Sequence, residues 1–228
     1  MRGHFASARR GAAVAARAGV RYPCRGSMQL INLLEFAILV FSIILHELAH
    51  GGVAFALGDP TAKNAGRLTL NPIPHIDLLG SILLPLVLLL SGAGILIGWA
   101  KPVPVDVARF RNPRRGFMLV GAAGPAANLA IACLAAAAWK ALQPEGPADL
   151  LLKYTTFINV VLAVFNLVPI PPLDGSRIVM GLLPRRLAYE YGKLERYGML
   201  IVLALVVAGG FRYVVWPIVD LLRKFVFA

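Results

Sequence analysis

Long apolar runs separated by short polar connections dominate the chain. The runs lie near 30–57, 78–100, 116–139, 150–168 and 197–222, and the polar connections 58–77, 101–115 and 169–196 are each under 30 residues long. A helix needs about 20 mostly apolar residues to span a bilayer, so the pattern predicts an all-α, polytopic integral membrane protein with about 4–6 transmembrane helices. The run at 78–100 is unlike the others, because Pro85, Ser91, Gly92, Gly94 and Gly98 interrupt it. It reads either as a plain crossing helix or as a re-entrant segment that dips in and returns. Irregular backbone at membrane depth is tolerated only beside protein or a water-filled cavity, so the second reading predicts a cavity next to it. Within the connections, Gly66-Arg67-Leu68-Thr69-Leu70 and Val103-Pro104-Val105 read as short extended pieces that surface loops would also explain.

Composition sharpens this picture. With 58% hydrophobic and only 15% charged residues, the chain falls outside the range of soluble globular domains. A net charge of +12 raises the question of a nucleic-acid partner, but the basic residues sit in short loops between apolar runs rather than on one face. Membrane topology explains them, and no nucleic acid is expected. Residues 101–115 carry Lys101, Arg109, Arg111, Arg114 and Arg115 against Asp106, whereas 140–149 carry Lys140 against Glu145 and Asp149. The first connection is therefore expected inside and the second outside, with 169–196, five basic and three acidic side chains, inside again.

The first 27 residues contain six arginines and no acid. That composition is transit-peptide-like, without the apolar core of a secretory signal. Met28 stands directly before the first apolar run and is the expected start. Residues 1–27 then form a basic extension, disordered or not translated, and 28–228 a single membrane-embedded domain. A bacterial inner membrane is the natural setting for that start; an organellar membrane is the setting if the extension is real.

His46-Glu47-Leu48-Ala49-His50 places two imidazoles one helical turn apart on the same face. About 6 Å of rise between them lets both ring nitrogens converge on one zinc ion. Glu47 then lies beside the metal, where a carboxylate can take a proton from water and return it to a leaving amine. Three ionisable groups within five positions of an apolar run are costly in a membrane unless they serve a function. Cys24 and Cys133 offer no paired Cys motif, so a third ligand must be a histidine or a carboxylate. The candidates are His4, His75, Glu35, Asp77, Asp174 and Asp220. Asp174 stands out because Pro169, Pro171 and Pro172 must break the helix just before it, exposing backbone that only a polar cavity accommodates.

These motifs resemble those of the site-2 protease family of intramembrane zinc metalloproteases. His46, Glu47 and His50 match its H-E-x-x-H segment, and Asn166, Pro169, Leu173, Asp174 and Gly175 match its N-x-x-P-x-x-x-L-D-G segment. Gly124-Pro125-Ala126-Ala127-Asn128 is similar to the family's G-P-x-x-N segment, although ordinary packing by small residues would also account for it. The likeness extends over roughly 40–210, in a compact form without room for PDZ or CBS domains. It implies Zn2+ held by His46, His50 and Asp174, with Glu47 and Asn166 as catalytic residues, Asn166 holding substrate or the oxyanion. The implied activity is hydrolysis of peptide bonds in transmembrane or membrane-proximal protein substrates, within or near the bilayer. A metal transporter or a substrate-binding scaffold is the alternative.

Topology tests the likeness, since ligands must meet at one depth. His46 and His50 lie toward the C-terminal part of their helix and Asp174 follows the end of its own, so both ends must face the same side, the cytoplasmic one by loop charge. Only two crossings between residue 57 and Asp174 satisfy this, which predicts that 78–100 does not cross. His75, in Asn71-Pro72-Ile73-Pro74-His75-Ile76-Asp77, reads as an auxiliary ligand, a gating group, or an interfacial histidine satisfied by backbone.

Overall fold

The computed structural model describes residues 25–91 and 98–227. Most of the expected basic extension, residues 1–24, lies outside this range, and the first helix already runs from Arg25, ahead of Met28. Among the described residues there are helices and no strands. In chain order the helices are α1 (Arg25–Ala56), the single turn α2 (Thr61–Asn64), α3 (Leu84–Leu90), α4 (Pro113–Leu142), α5 (Pro147–Asn166), α6 (Asp174–Leu182), α7 (Arg185–Gly192), α8 (Glu195–Val207) and α9 (Gly210–Phe227).

Among the described residues, three helices are long and apolar enough to cross a bilayer: Gln29–Ala56 within α1, α4 and α5. Their boundaries follow local chemistry. Asn112 caps α4 by accepting the Arg115 N–H at 3.2 Å, and Pro113 occupies the first helical position, where a missing N–H costs nothing. The helix ends at Gln143 in the left-handed conformation, its N–H returning to Trp139 O at 3.0 Å. Gly146, at φ +62°, then turns the chain into Pro147 and α5. Large apolar side chains such as Leu33, Phe36, Phe41 and Leu134 point outward, as expected for helices surrounded by lipid.

The run at 197–222 does not form one span. It breaks after Val207, and Gly209, at φ +71°, separates α8 from α9.

In the run at 78–100, the described residues at its two ends lie side by side. A π-helical turn at Leu78–Leu83 leads into α3, residues 92–97 lie outside the described range, and the chain is back beside its own entry by Gly98. Trp99 N–H donates to Gly80 O at 3.2 Å, Ser81 Oγ donates to Trp99 O at 2.8 Å, and Lys101 N–H donates to His75 O at 2.9 Å. The two ends of the run therefore lie together, as the ligand-depth argument requires.

From Lys101 to Asp106 the chain forms a strap without regular structure. Pro102 and Pro104 have no N–H to give, so no hydrogen-bond ladder forms where extended pieces were expected. The strap is instead pinned at single points. Arg67 Nη2 donates to Lys101 O at 2.6 Å, and Asp106 N–H donates to Asp59 Oδ2 at 2.7 Å. Ala54, Val120 and Phe110, with Val105 and Val107 against them, fasten it to α1 and α4.

Candidate metal centre

Helix α4 is central, packing against α1, α5 and α6. Small residues let its neighbours approach, which is how membrane helices associate when burial of apolar surface gives little driving force. A Cβ on Gly121 would stand 2.7 Å from Arg177 Cβ and 3.1 Å from Asp174 O. One turn on, Gly124 faces α1, and a Cβ there would meet the Nε2 atoms of both His46 and His50.

His46 and His50 lie on one face of α1, both buried. The proline-rich turn after α5 delivers Asp174 as the first residue of α6. Gly175 is required there, because a Cβ would collide with the Leu167 carbonyl. Asp174 Oδ2 lies 3.0 Å from His46 Nε2 and 3.1 Å from His50 Nε2, and the two Nε2 atoms are 3.0 Å apart. Ligand atoms at about 2.0–2.1 Å from a tetrahedral zinc stand about 3.3 Å apart, so the triangle is close to the size a bound ion would set. The other carboxylate oxygen, Oδ1, faces Arg177 Nη1 at 3.4 Å.

Protonation follows from the outer hydrogen bonds. His50 Nδ1 lies 2.6 Å from the Val120 carbonyl, which can only accept, so Nδ1 carries the proton and Nε2 presents a lone pair. Pro125 has no N–H for Gly121 O, so the helical ladder is opened next to this carbonyl. His46 Nδ1 lies 2.5 Å from Asn128 Oδ1, and donation in that direction leaves its Nε2 unprotonated as well. Two lone pairs and a carboxylate oxygen then converge with no proton between them, an arrangement that calls for a cation. The donor set and the cradle left by Gly124 both fit zinc.

Glu47 is tied to the strap: its Oε2 accepts the Val103 N–H at 2.9 Å. Asn166, in the last turn of α5, donates its amide to Leu162 O at 2.9 Å. The structure thus brings His46, His50 and Asp174 into one cluster, sets Glu47 under the strap, and leaves Asn166 bonded within its own helix. His75 is buried outside the cluster, its Nε2 3.0 Å from Thr69 O, just ahead of the run at 78–100. Sequence reasoning missed the strap N–H at Glu47 and the buried partners of Asn128. Proline spacing in the strap, which leaves Val103 the N–H between two imino residues, was the available signal for the first.

Comparison with known proteins agrees with this chemistry. The family model for "Peptidase family M50" matches residues 140–209. YwhC, a candidate zinc metalloprotease of Bacillus subtilis, is 39% identical over 202 residues, covering 83% of this chain and 88% of YwhC. Rip2, a candidate zinc metalloprotease of Mycolicibacterium smegmatis, is 30% identical over 179 residues, 78% of this chain and 68% of Rip2. The zinc metalloprotease MJ0392 of Methanocaldococcus jannaschii is 25% identical over 154 residues, 68% of this chain and 35% of MJ0392. No solved structure matches significantly. These relatives favour proteolysis over transport or scaffolding.

Proposed function

Because this chain belongs to peptidase family M50, the site-2 proteases, and is an intramembrane zinc metalloprotease, we propose that His46, His50 and Asp174 hold its zinc and that Glu47 moves the proton in peptide-bond hydrolysis. The observation that carries this assignment is the triangle of three buried donor atoms, 3.0–3.1 Å apart, all presenting lone pairs. Zinc bound there supplies Lewis acidity, polarising the scissile carbonyl and acidifying water at the site. Glu47 takes a proton from the attacking water while the new C–O bond forms, and gives it to the amide nitrogen as the C–N bond breaks. The Val103 N–H fixes one carboxylate oxygen of Glu47 and leaves Oε1 for this transfer. Asn166 spends one amide N–H on Leu162 O, and its second N–H is the proposed oxyanion donor.

The substrate is a transmembrane or membrane-proximal protein segment that enters unwound, since a helical peptide bond is shielded by its own turn. Loop charge supports a site toward the cytoplasmic side, and the bacterial relatives support a bacterial plasma membrane. We take 28–228 as one membrane-embedded domain, because α1, α4, α5 and α6 share one centre.

The test compares membrane-protein neo-termini in cells making wild type or Glu47→Gln at equal abundance. New termini within or beside membrane segments, present with wild type alone, support the assignment. Identical profiles across growth and stress conditions overturn it.

A further inference from the structure

Behind His46, three polar side chains from three helices form a closed chain of hydrogen bonds in the interior. Asn128 on α4 and Asn159 on α5 are both fully buried at 0% exposure, and Ser42 on α1 is 4% exposed. Asn128 Nδ2 donates to Asn159 Oδ1 at 2.8 Å and lies 3.4 Å from the Ser42 carbonyl. Asn159 Nδ2 donates to Ser42 Oγ at 2.9 Å and to the Thr155 carbonyl at 2.9 Å. Two primary amides at the centre of a membrane protein are costly to bury and have ordinary packing substitutes, so their complete satisfaction points to a task.

The direction of the chain is forced. A backbone carbonyl accepts and cannot donate, so the Thr155 carbonyl requires the amide nitrogen of Asn159 on its side and sends Oδ1 toward Asn128. That oxygen requires the nitrogen of Asn128, as does the Ser42 carbonyl, and turns Asn128 Oδ1 toward His46. His46 is left with only one role at Nδ1, that of donor. The two carbonyls, on α1 and α5, thereby dictate at a distance which ring nitrogen of His46 carries its proton, and the Ser42 hydroxyl, accepting the other N–H of Asn159, holds that amide in the geometry that transmits it.

We infer that Asn159, with Ser42, is a positioning residue of the metal centre, setting the Nδ1-protonated tautomer and the ring orientation of His46 through Asn128. The inference rests on the reading of His46 as a zinc ligand. Without the Asn159 amide, only the long 3.4 Å contact with the Ser42 carbonyl still orients Asn128, and a rotation that presents its NH2 to His46 Nδ1 pulls the lone pair to that side and the proton to Nε2, where the metal belongs.

The experiment uses the purified full chain in detergent, with zinc affinity measured by chelator competition and Co2+ substituted to read ligand geometry from its visible absorption. Asn159→Leu, which keeps the branching at Cγ and removes both polar atoms, and Ser42→Ala are expected to weaken zinc binding roughly 10- to 100-fold, the usual effect of losing a partner that orients a ligand. Both are expected to shift or broaden the Co2+ band, and Ser42→Thr, which keeps the hydroxyl, is expected to restore band and affinity. Wild-type affinity and band position in both variants overturn the inference. So does weaker binding with an unchanged band that Ser42→Thr fails to restore, since that is general loosening. If Asn159→Leu does not fold, the Ser42→Ala and Ser42→Thr pair decides the question alone. A wild-type chain that binds neither metal overturns the zinc-ligand reading itself, and this inference with it.

Discussion

Gly124 leaves open the space into which both imidazoles point, and any side chain there competes with the ion. Gly124→Ala is therefore expected to lower zinc content from stoichiometric to background, measured on purified protein, while helix content is retained. Glu47→Gln should separate the two halves of the site. It is expected to keep its zinc and lose about 100- to 10,000-fold in cleavage rate, the usual contribution of a positioned acid-base group. Retention of near wild-type turnover would remove Glu47 from the mechanism. At this scale the sequence was most legible where ligands are neighbours on one helix: the four-residue spacing of His46 and His50 carries its own geometry. Asp174 was marked by the prolines that precede it and named by the family motif. Asn159 and Ser42 left no such trace, because their contacts join helices 31 and 117 positions apart and no local periodicity encodes them.

Among the elements, the strap is held by the fully buried Asp59 carboxylate. Burial alone would raise its pKa, but hydrogen bonds from Thr61 and from the Asp106 N–H, with the Arg109 charge nearby, hold it below the ordinary value of 3.8. A lowered native pKa stabilises the fold fully above that ordinary value, and the contribution is lost as pH falls through the lower native one. The unfolding midpoint is expected to fall as pH drops below 3.8, and Asp59→Asn to be destabilised at pH 7 and to lose that part of the acid sensitivity. Asp59→Ala, which strands the Thr61 and Asp106 N–H groups, should cost about 1–3 kcal/mol, measured by thermal unfolding in detergent. Element identity was legible from apolar length, but length does not report a bend. The run at 197–222 contains Gly209 and Gly210, and that pair was the only local sign that the chain would break there. The meeting of the two ends of the run at 78–100 was legible only indirectly, from the requirement that Asp174 and His50 meet.

For the molecule as a whole, α1, α4 and α5 make, among the described residues, an odd number of long apolar helices before Asp174, which puts the ends of α1 and α5 on one side. Asp106, at the end of the strap, donates its N–H to Asp59 Oδ2, just after α1. Single cysteines at positions 60 and 105 are therefore expected to react with an impermeant thiol reagent from the same face of the membrane, and a cysteine at 145 from the other. Labelling of 60 and 105 from opposite faces would overturn this topology. The division of the donors between α1 and α6 has a further consequence for biosynthesis. Two donors leave the ribosome early, but the third is 124 residues behind His50, after the run at 78–100 and two more long helices. With Asp174 as the proposed third ligand, a nascent chain cannot assemble the centre until residue 174 has been made and inserted, and the hydrolase is expected to be silent until then. Chains released before residue 174 are expected to insert without retaining zinc.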